Sequence, residues 1–135
     1  NQLFMDDANV PSLLSLPYLE ALPSSDLRYE KTRAFVLSSA NPYFYEGSIS
    51  SGVGSQHTPA RHVWPIALAI QALTSNDQPF ALEMLELLEI NDAKTGRMHE
   101  SFHVDDDSIF TRDWFSWSDM TYVDLVLQGV GYSQD

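Results

Sequence analysis

The sequence contains no cysteine, which excludes a disulfide scaffold, a thiolate zinc site and a cysteine nucleophile. Basic residues are scarce: Lys and Arg total 7 against 19 Asp and Glu, a net charge of −12. That balance excludes the clustered positive charge with which proteins hold nucleic acid or an anionic membrane surface. No apolar run approaches the roughly 20 residues of a membrane span. The longest candidate, 63–73, contains Pro65 and Gln71. A signal-peptide pattern is missing as well. The chain opens on Asn1, inside what reads as a folded motif, so the natural N-terminus is expected to lie upstream. Strict period-two alternation is nowhere sustained, and only 3–5 and 43–45 are short strand candidates. What is present is enough apolar material to fold: 44% hydrophobic against 19% charged in 135 residues. A chain of this length buries roughly 65–70% of its extended surface, which allows one core.

The apolar patterning predicts a mostly helical chain of about five helices. Asn9 is positioned to cap a short first helix, with Pro11 in its opening turn, Leu13, Leu14 and Leu16 buried, and Pro17 and Pro23 interrupting it. The Ser24-Ser25-Asp26 cluster caps a second helix to about Ser39, with Leu27, Phe35 and Leu37 inward. Residues 41–61 are expected to form a long loop rich in Gly, Ser and aromatics, a length that is often functional. Residues 63–75 are apolar nearly all round, which marks a buried helix. Asn76 or Asp77 caps the next helix, to about Asn91, with Phe80, Leu82, Leu85, Leu88 and Ile90 inward and Glu83, Glu86 and Glu89 outward. Residues 97–115 read as irregular, and a last helix is expected over 114–128, stopped by Gly129 and Gly131.

Chemistry-bearing side chains gather in the connections. Four clusters stand out: Asp6-Asp7-Ala8-Asn9, Gly54-Ser55-Gln56-His57-Thr58-Pro59, Met98-His99-Glu100-Ser101-Phe102-His103, and Trp114-Phe115-Ser116-Trp117. Carboxylates and amides bind sugar hydroxyls, an indole face packs the ring's C–H surface, and glycoside hydrolysis needs two carboxyl groups flanking one bond. Each cluster also has a plain structural reading. Asp6 and Asp7 could cap a helix or hold a buried network, His57 could be a satisfied structural histidine, and indoles three apart commonly pack a core. His99-Glu100-Ser101-Phe102-His103 has the spacing of a His-Glu-x-x-His zinc helix. Gly96 before it, Asp105-Asp106-Asp107 after it and the lack of a third ligand at a familiar distance argue against metal. The aspartate run itself reads as a solvated loop rather than a calcium site.

Taken in order, these segments resemble glycoside hydrolase family 125, the exo-α-1,6-mannosidases, over nearly the whole chain. The stretches that carry the resemblance are Phe4-Met5-Asp6-Asp7-Ala8-Asn9-Val10-Pro11, Asn41-Pro42-Tyr43-Phe44-Tyr45-Glu46-Gly47, Gly52-Val53-Gly54-Ser55-Gln56-His57-Thr58-Pro59, Val63-Trp64-Pro65-Ile66-Ala67, Met98-His99-Glu100-Ser101-Phe102-His103 and Phe110-Thr111-Arg112-Asp113-Trp114-Phe115-Ser116-Trp117. The resemblance implies an all-α fold. Residues 1–135 would be one partial domain, the C-terminal half of an (α/α)6 barrel truncated on its N-terminal side. It implies inverting hydrolysis of terminal α-1,6-linked mannose without metal or cofactor, and a mannose-containing glycan as partner.

The same resemblance supplies candidate roles. The family's general base is a glutamate in a stretch similar to Trp117-Ser118-Asp119-Met120-Thr121-Tyr122-Val123-Asp124-Leu125, where Asp124 takes its place, one methylene shorter, and Asp119 replaces an asparagine. A carboxylate set back by about 1 Å can cost roughly 100-fold in rate. The general acid is expected outside this chain. Asp6, Asp7 and Asn9, with His57, His99 and Glu100, are the candidates for holding mannose hydroxyls, and Trp64, Trp114 and Trp117 for walling the pocket. Two alternatives stay open: a truncated or decayed copy that binds mannose without cleaving it, and a helical interaction domain whose acidic face meets a basic protein partner.

Overall fold

A computed structural model describes residues 5–129. Four α-helices occur among them: α1 (Leu27–Val36), α2 (Pro65–Leu73), α3 (Gln78–Ile90) and α4 (Ser116–Gly129). The helix caps fall where their chemistry requires. The Asp26 side chain accepts the amide of Arg28 to open α1, and the Asp77 side chain accepts that of Phe80 to open α3. Pro65 stands at the first position of α2, where its missing N–H has no partner to lose. α2 is the axis of the fold. Ile66, Ala67, Leu68, Ala69, Ile70 and Ala72 are all buried, and α3 and α4 both pack on it.

The expectation of an all-α chain is corrected by five short strands. β1 (Phe44–Glu46) and β2 (Ser51–Val53) form an antiparallel hairpin with Phe44 opposite Val53, inside the segment expected to be one long loop. β3 (His62–Val63), β4 (Ser101–His103) and β5 (Asp106–Thr111) form a second antiparallel sheet within and beside the segment read as irregular. Strands of two to six residues are too short to display a period-two pattern, and β3 meets β4 across the whole α2–α3 hairpin. Of the two strand candidates, 43–45 overlaps β1, while Leu3 and Phe4 lie outside the described residues.

The first predicted helix is also replaced. Residues 9–22 form consecutive turns, and Asn9 is not a cap: its backbone and side-chain N–H groups donate to the Asp7 carboxylate. The amides of Leu13 and Leu14 donate instead to the Asp6 carboxylate, and Ser12 and Ser15 bond each other's backbone and hydroxyl groups. Two inward faces were assigned only in part: Leu88 is buried and Leu37, Phe80 and Leu85 are partly buried as expected, but other positions differ. In α1 Tyr29 and Val36 are buried while Leu27 and Phe35 are exposed; in α3 Met84 and Leu88 are buried while Leu82 and Ile90 are exposed. Trp114 precedes the last helix rather than starting it.

Two buried clusters result. One joins Leu68, Met84, Leu88, Phe102 and Leu125 around α2, α3, α4 and β4; the other joins Leu14, Val36, Val53, Trp64, Ile66 and Ile70 beneath the N-terminal turns. Among the described residues no helix is long and apolar enough to cross a membrane. Leu68 is fully buried at the centre of the first cluster. Leu68→Ala is therefore expected to cost about 2–5 kcal/mol, a large part of a typical domain's total stability, while Glu83→Ala on the exposed face of α3 changes it by less than about 0.5 kcal/mol. Urea unfolding of the two variants checks this.

Candidate active site

Three of the four polar clusters border the second buried cluster, through Ala8, Val53 and Phe115, while Met98 and Phe102 place the 98–103 segment in the first. The Asp6–Asn9 and Gly54–Thr58 loops are tied directly: the Ala8 amide donates to the Gly54 carbonyl at 2.9 Å and the Ser55 hydroxyl to Asp7 Oδ2 at 2.9 Å. Gly54 has no substitute here, because a Cβ would overlap the His62 carbonyl oxygen and meet the Tyr45 ring at 2.8 Å. Trp64 links these loops to the other side. Its indole N–H donates to Thr58 Oγ1 at 2.9 Å, and its ring meets Phe115 edge-on with centroids 6.0 Å apart. Phe115 in turn lies 6.2 Å from Trp117 and carries the Arg112 guanidinium 5.6 Å above its face.

Arg112 leads to a carboxylate. Its Nε lies 3.0 Å from Glu100 Oε2, and Thr111 Oγ1 donates to Glu100 Oε1 at 3.1 Å. The Glu100 side chain is 14% exposed. Behind it the chain of hydroxyls continues through Ser101 to the buried His62 ring. Burial, and then the neighbouring His103 ring, hold the His62 imidazole below its ordinary value. Asp119 supports the exposed indole: Trp114 Nε1 donates to Asp119 Oδ2 at 2.6 Å and the Met98 amide to Oδ1 at 3.1 Å. Trp114 and Trp117 are 63% and 39% exposed, so both present open indole surface at the rim.

Asp124 lies on α4, where the Tyr18 hydroxyl donates to its Oδ2 at 2.6 Å. Its Oδ1 carries no hydrogen bond among the described residues. That bond raises the Tyr18 phenol to about 12, with partial burial and the Asp124 charge adding to it.

The sequence candidates therefore separate. Pairwise contacts run from Asn9 through Asp7 to Ser55, which also holds the His57 amide, and from Thr58 through Trp64 and Phe115 to Trp117 and, by way of Arg112, to Glu100. His57 stands exposed on its loop, only its backbone amide being held, by Ser55 Oγ. Three candidates are occupied by the fold instead. Asp6 is buried with its carboxylate on two backbone amides, and burial pushes its carboxyl above the ordinary aspartate value. Trp64 is 2% exposed and forms the floor rather than a wall. His99 is 1% exposed, and all acceptors around its ring are backbone carbonyls. Tyr18, Thr111, Arg112 and Asp119 were missed as site residues. Arg112 alone carried a usable signal, as one of only seven basic residues set between aromatics. The His-Glu-Ser-Phe-His string is not a helix: its last three residues are β4, and no group of three or more His, Asp or Glu able to hold a metal ion occurs among the described residues.

Carboxylates beside exposed indoles, fed by an amide and an imidazole, are the equipment of a carbohydrate-processing site. The comparisons agree. Residues 1–127 match the family model of the metal-independent α-mannosidases, GH125. The chain belongs to glycoside hydrolase family 125. It is 48% identical over 126 residues to the meiotically up-regulated gene 157 protein of Schizosaccharomyces pombe, covering 93% of this chain and 25% of that protein. A solved metal-independent α-mannosidase from Streptococcus pneumoniae, in a non-productive complex with α-1,6-mannobiose, matches at 50% identity with a TM-score of 0.94. The match covers 96% of this chain and 30% of the neighbour's. The chain thus spans about a quarter to a third of the length of these relatives.

The Tyr18–Asp124 bond predicts a pH effect. Tyr18 titrates near 12 in the fold, above the ordinary tyrosine value of 10, so its contribution is complete below pH 10 and is lost as pH rises through about 12. Tyr122 is also raised to about 12, by burial and then by Glu89, and acts in the same window. Unfolding midpoints of the parent and Tyr18→Phe should converge between about pH 10 and 12, with a Tyr122→Phe reference separating the second phenol.

Proposed function

We propose that this chain supplies the sugar-holding loops and one hydrolytic carboxylate of an inverting exo-α-1,6-mannosidase. In this reading residues 1–135 are part of a larger toroid of paired helices, an (α/α)6 barrel, whose remainder brings the general acid. The observation that supports the reading is the series of contacts linking Asp7 and the His57 loop through Thr58, Trp64, Phe115 and Arg112 to Glu100, in a chain that belongs to an α-mannosidase family.

The chemistry follows from inversion. An acid protonates the glycosidic oxygen as the anomeric C–O bond breaks, while a carboxylate roughly 6.5–9.5 Å from it takes a proton from water attacking the opposite face. The mannose released is the β-anomer. Asp124 is the proposed base: Tyr18 fixes one of its oxygens and leaves the other to accept from water. Trp114, steadied by Asp119, and Trp117 offer indole faces to the sugar ring. Asp7, itself held by Asn9 and Ser55, keeps the N-terminal loop beside His57. No metal or cofactor enters the scheme.

A second reading makes Glu100 the base. It is favoured by its shielded position among Thr111, Arg112 and the aromatic wall. The test uses α-1,6-mannobiose and two proteins: this chain, and a chimera in which it replaces the matching 30% of the S. pneumoniae α-mannosidase. NMR of the fresh product reads the anomer. Release of β-mannose by the chimera is expected, with loss of at least about 100-fold in kcat on removing the base. A loss in Asp124→Asn alone assigns Asp124, and a loss in Glu100→Gln alone assigns Glu100. Mannobiose binding without release in the chimera would support the alternative of a non-cleaving binding protein, and α-mannose as first product would overturn inversion.

A further inference from the structure

We infer that His99 is a positioning residue that donates from both ring nitrogens and thereby sets the place of the Glu100 carboxylate. The His99 ring is enclosed and stacks on Phe110 with centroids 3.9 Å apart and planes 10° from parallel. Nδ1 faces the carbonyl oxygens of Arg112 at 3.3 Å and Asp113 at 3.1 Å. Nε2 faces the carbonyl oxygen of Asp92 at 3.1 Å. A carbonyl oxygen only accepts, so each side of the ring is satisfied only by an N–H. The His99 carbonyl oxygen accepts from the Ser118 hydroxyl at 2.8 Å, which brings in α4. One residue thus ties the 92–96 turn, the 112–113 bend and the start of α4.

Among the described residues no side-chain carboxylate is hydrogen-bonded to the ring. The Asp92 carboxylate turns to the amides of Lys94 and Gly96, and that of Asp119 to Met98 and Trp114. Arg112 is committed to Glu100. The bend that delivers the Arg112 carbonyl to His99 has φ +50° at Arg112, a conformation rarely adopted by a residue with a side chain. The ring N–H compensates that strained bend, and the same bend points the Arg112 guanidinium at Glu100, the next residue after His99. Losing either donor releases the bend, and with it the carboxylate's partner. The inference rests on the second reading above, in which the Glu100 carboxylate is the base.

Two measurements test it. In the 15N-labelled full chain at neutral pH, long-range ring correlations are expected to show an N–H on both nitrogens of His99; a ring with one bare nitrogen overturns the two-sided tie. In the chimera, His99→Phe keeps a ring on Phe110 and removes both donors. With Glu100 acting as the base, a kcat lower by about 100-fold, with KM for α-1,6-mannobiose within about twofold, is expected when that carboxylate is misplaced. Unchanged kcat, or a loss confined to KM, overturns the positioning role. If the parent chimera releases no mannose, the hydrolytic reading fails, while the ring measurement still decides whether His99 holds both sides.

Discussion

The site depends on the burial of one indole. Trp64 accepts and donates in four directions: its amide reaches the Val53 carbonyl of β2, its carbonyl receives the Leu68 amide to begin α2, its indole N–H holds Thr58, and its ring meets Phe115. Each contact belongs to a different segment. Filling that position with anything smaller would leave a cavity costing about 3–5 kcal/mol and would disconnect the N-terminal loops from the aromatic rim. A buried tryptophan also needs a partner for its N–H, which explains why Thr58 and not an apolar residue closes the 54–58 loop.

Around this floor the polar groups divide by depth. Those closest to the core, Asp6, His62 and His99, spend their hydrogen bonds on backbone and hydroxyl groups of the chain itself. Those further out, Glu100 and Asp124, have one or two partners among the described residues. The outermost, His57, Trp114 and Trp117, retain open surface. A graded arrangement of this kind combines a rigid base with groups able to meet a hydroxylated ligand, since a ligand contact must be made by atoms the fold has not already used.

Much of this was legible in the residues. Asp26 and Asp77 announced α1 and α3 because a cap is a local interaction between neighbours in sequence. The all-round apolar run of α2 announced its burial, and the polar-aromatic connections marked out the candidate site. The strands were not legible, because β3 finds β4 only after α2 and α3 have folded back. Nor was the distinction between His57 and His99. Both sit among polar neighbours in sequence, and only the bend at Arg112 decides that one ring is enclosed by carbonyls. The inward faces of α1 and α3 were legible only in part, as at Leu88: short helices at the periphery expose large apolar side chains such as Leu27 and Ile90, and pattern alone does not say which side has a neighbour.

The bond between Tyr18 and Asp124 joins residues 106 positions apart. A ribosome adding about 5–20 residues per second would deliver the second partner roughly 5–20 s after the first. During that interval the turns at 9–22 can form locally, through Asp6, Ser12 and Ser15, but α4 does not yet exist. The carboxylate-bearing helix therefore reaches Tyr18 only after the segments between them have been made. A nascent chain stalled before residue 116 would lack both Asp124 and the helix that packs on α2.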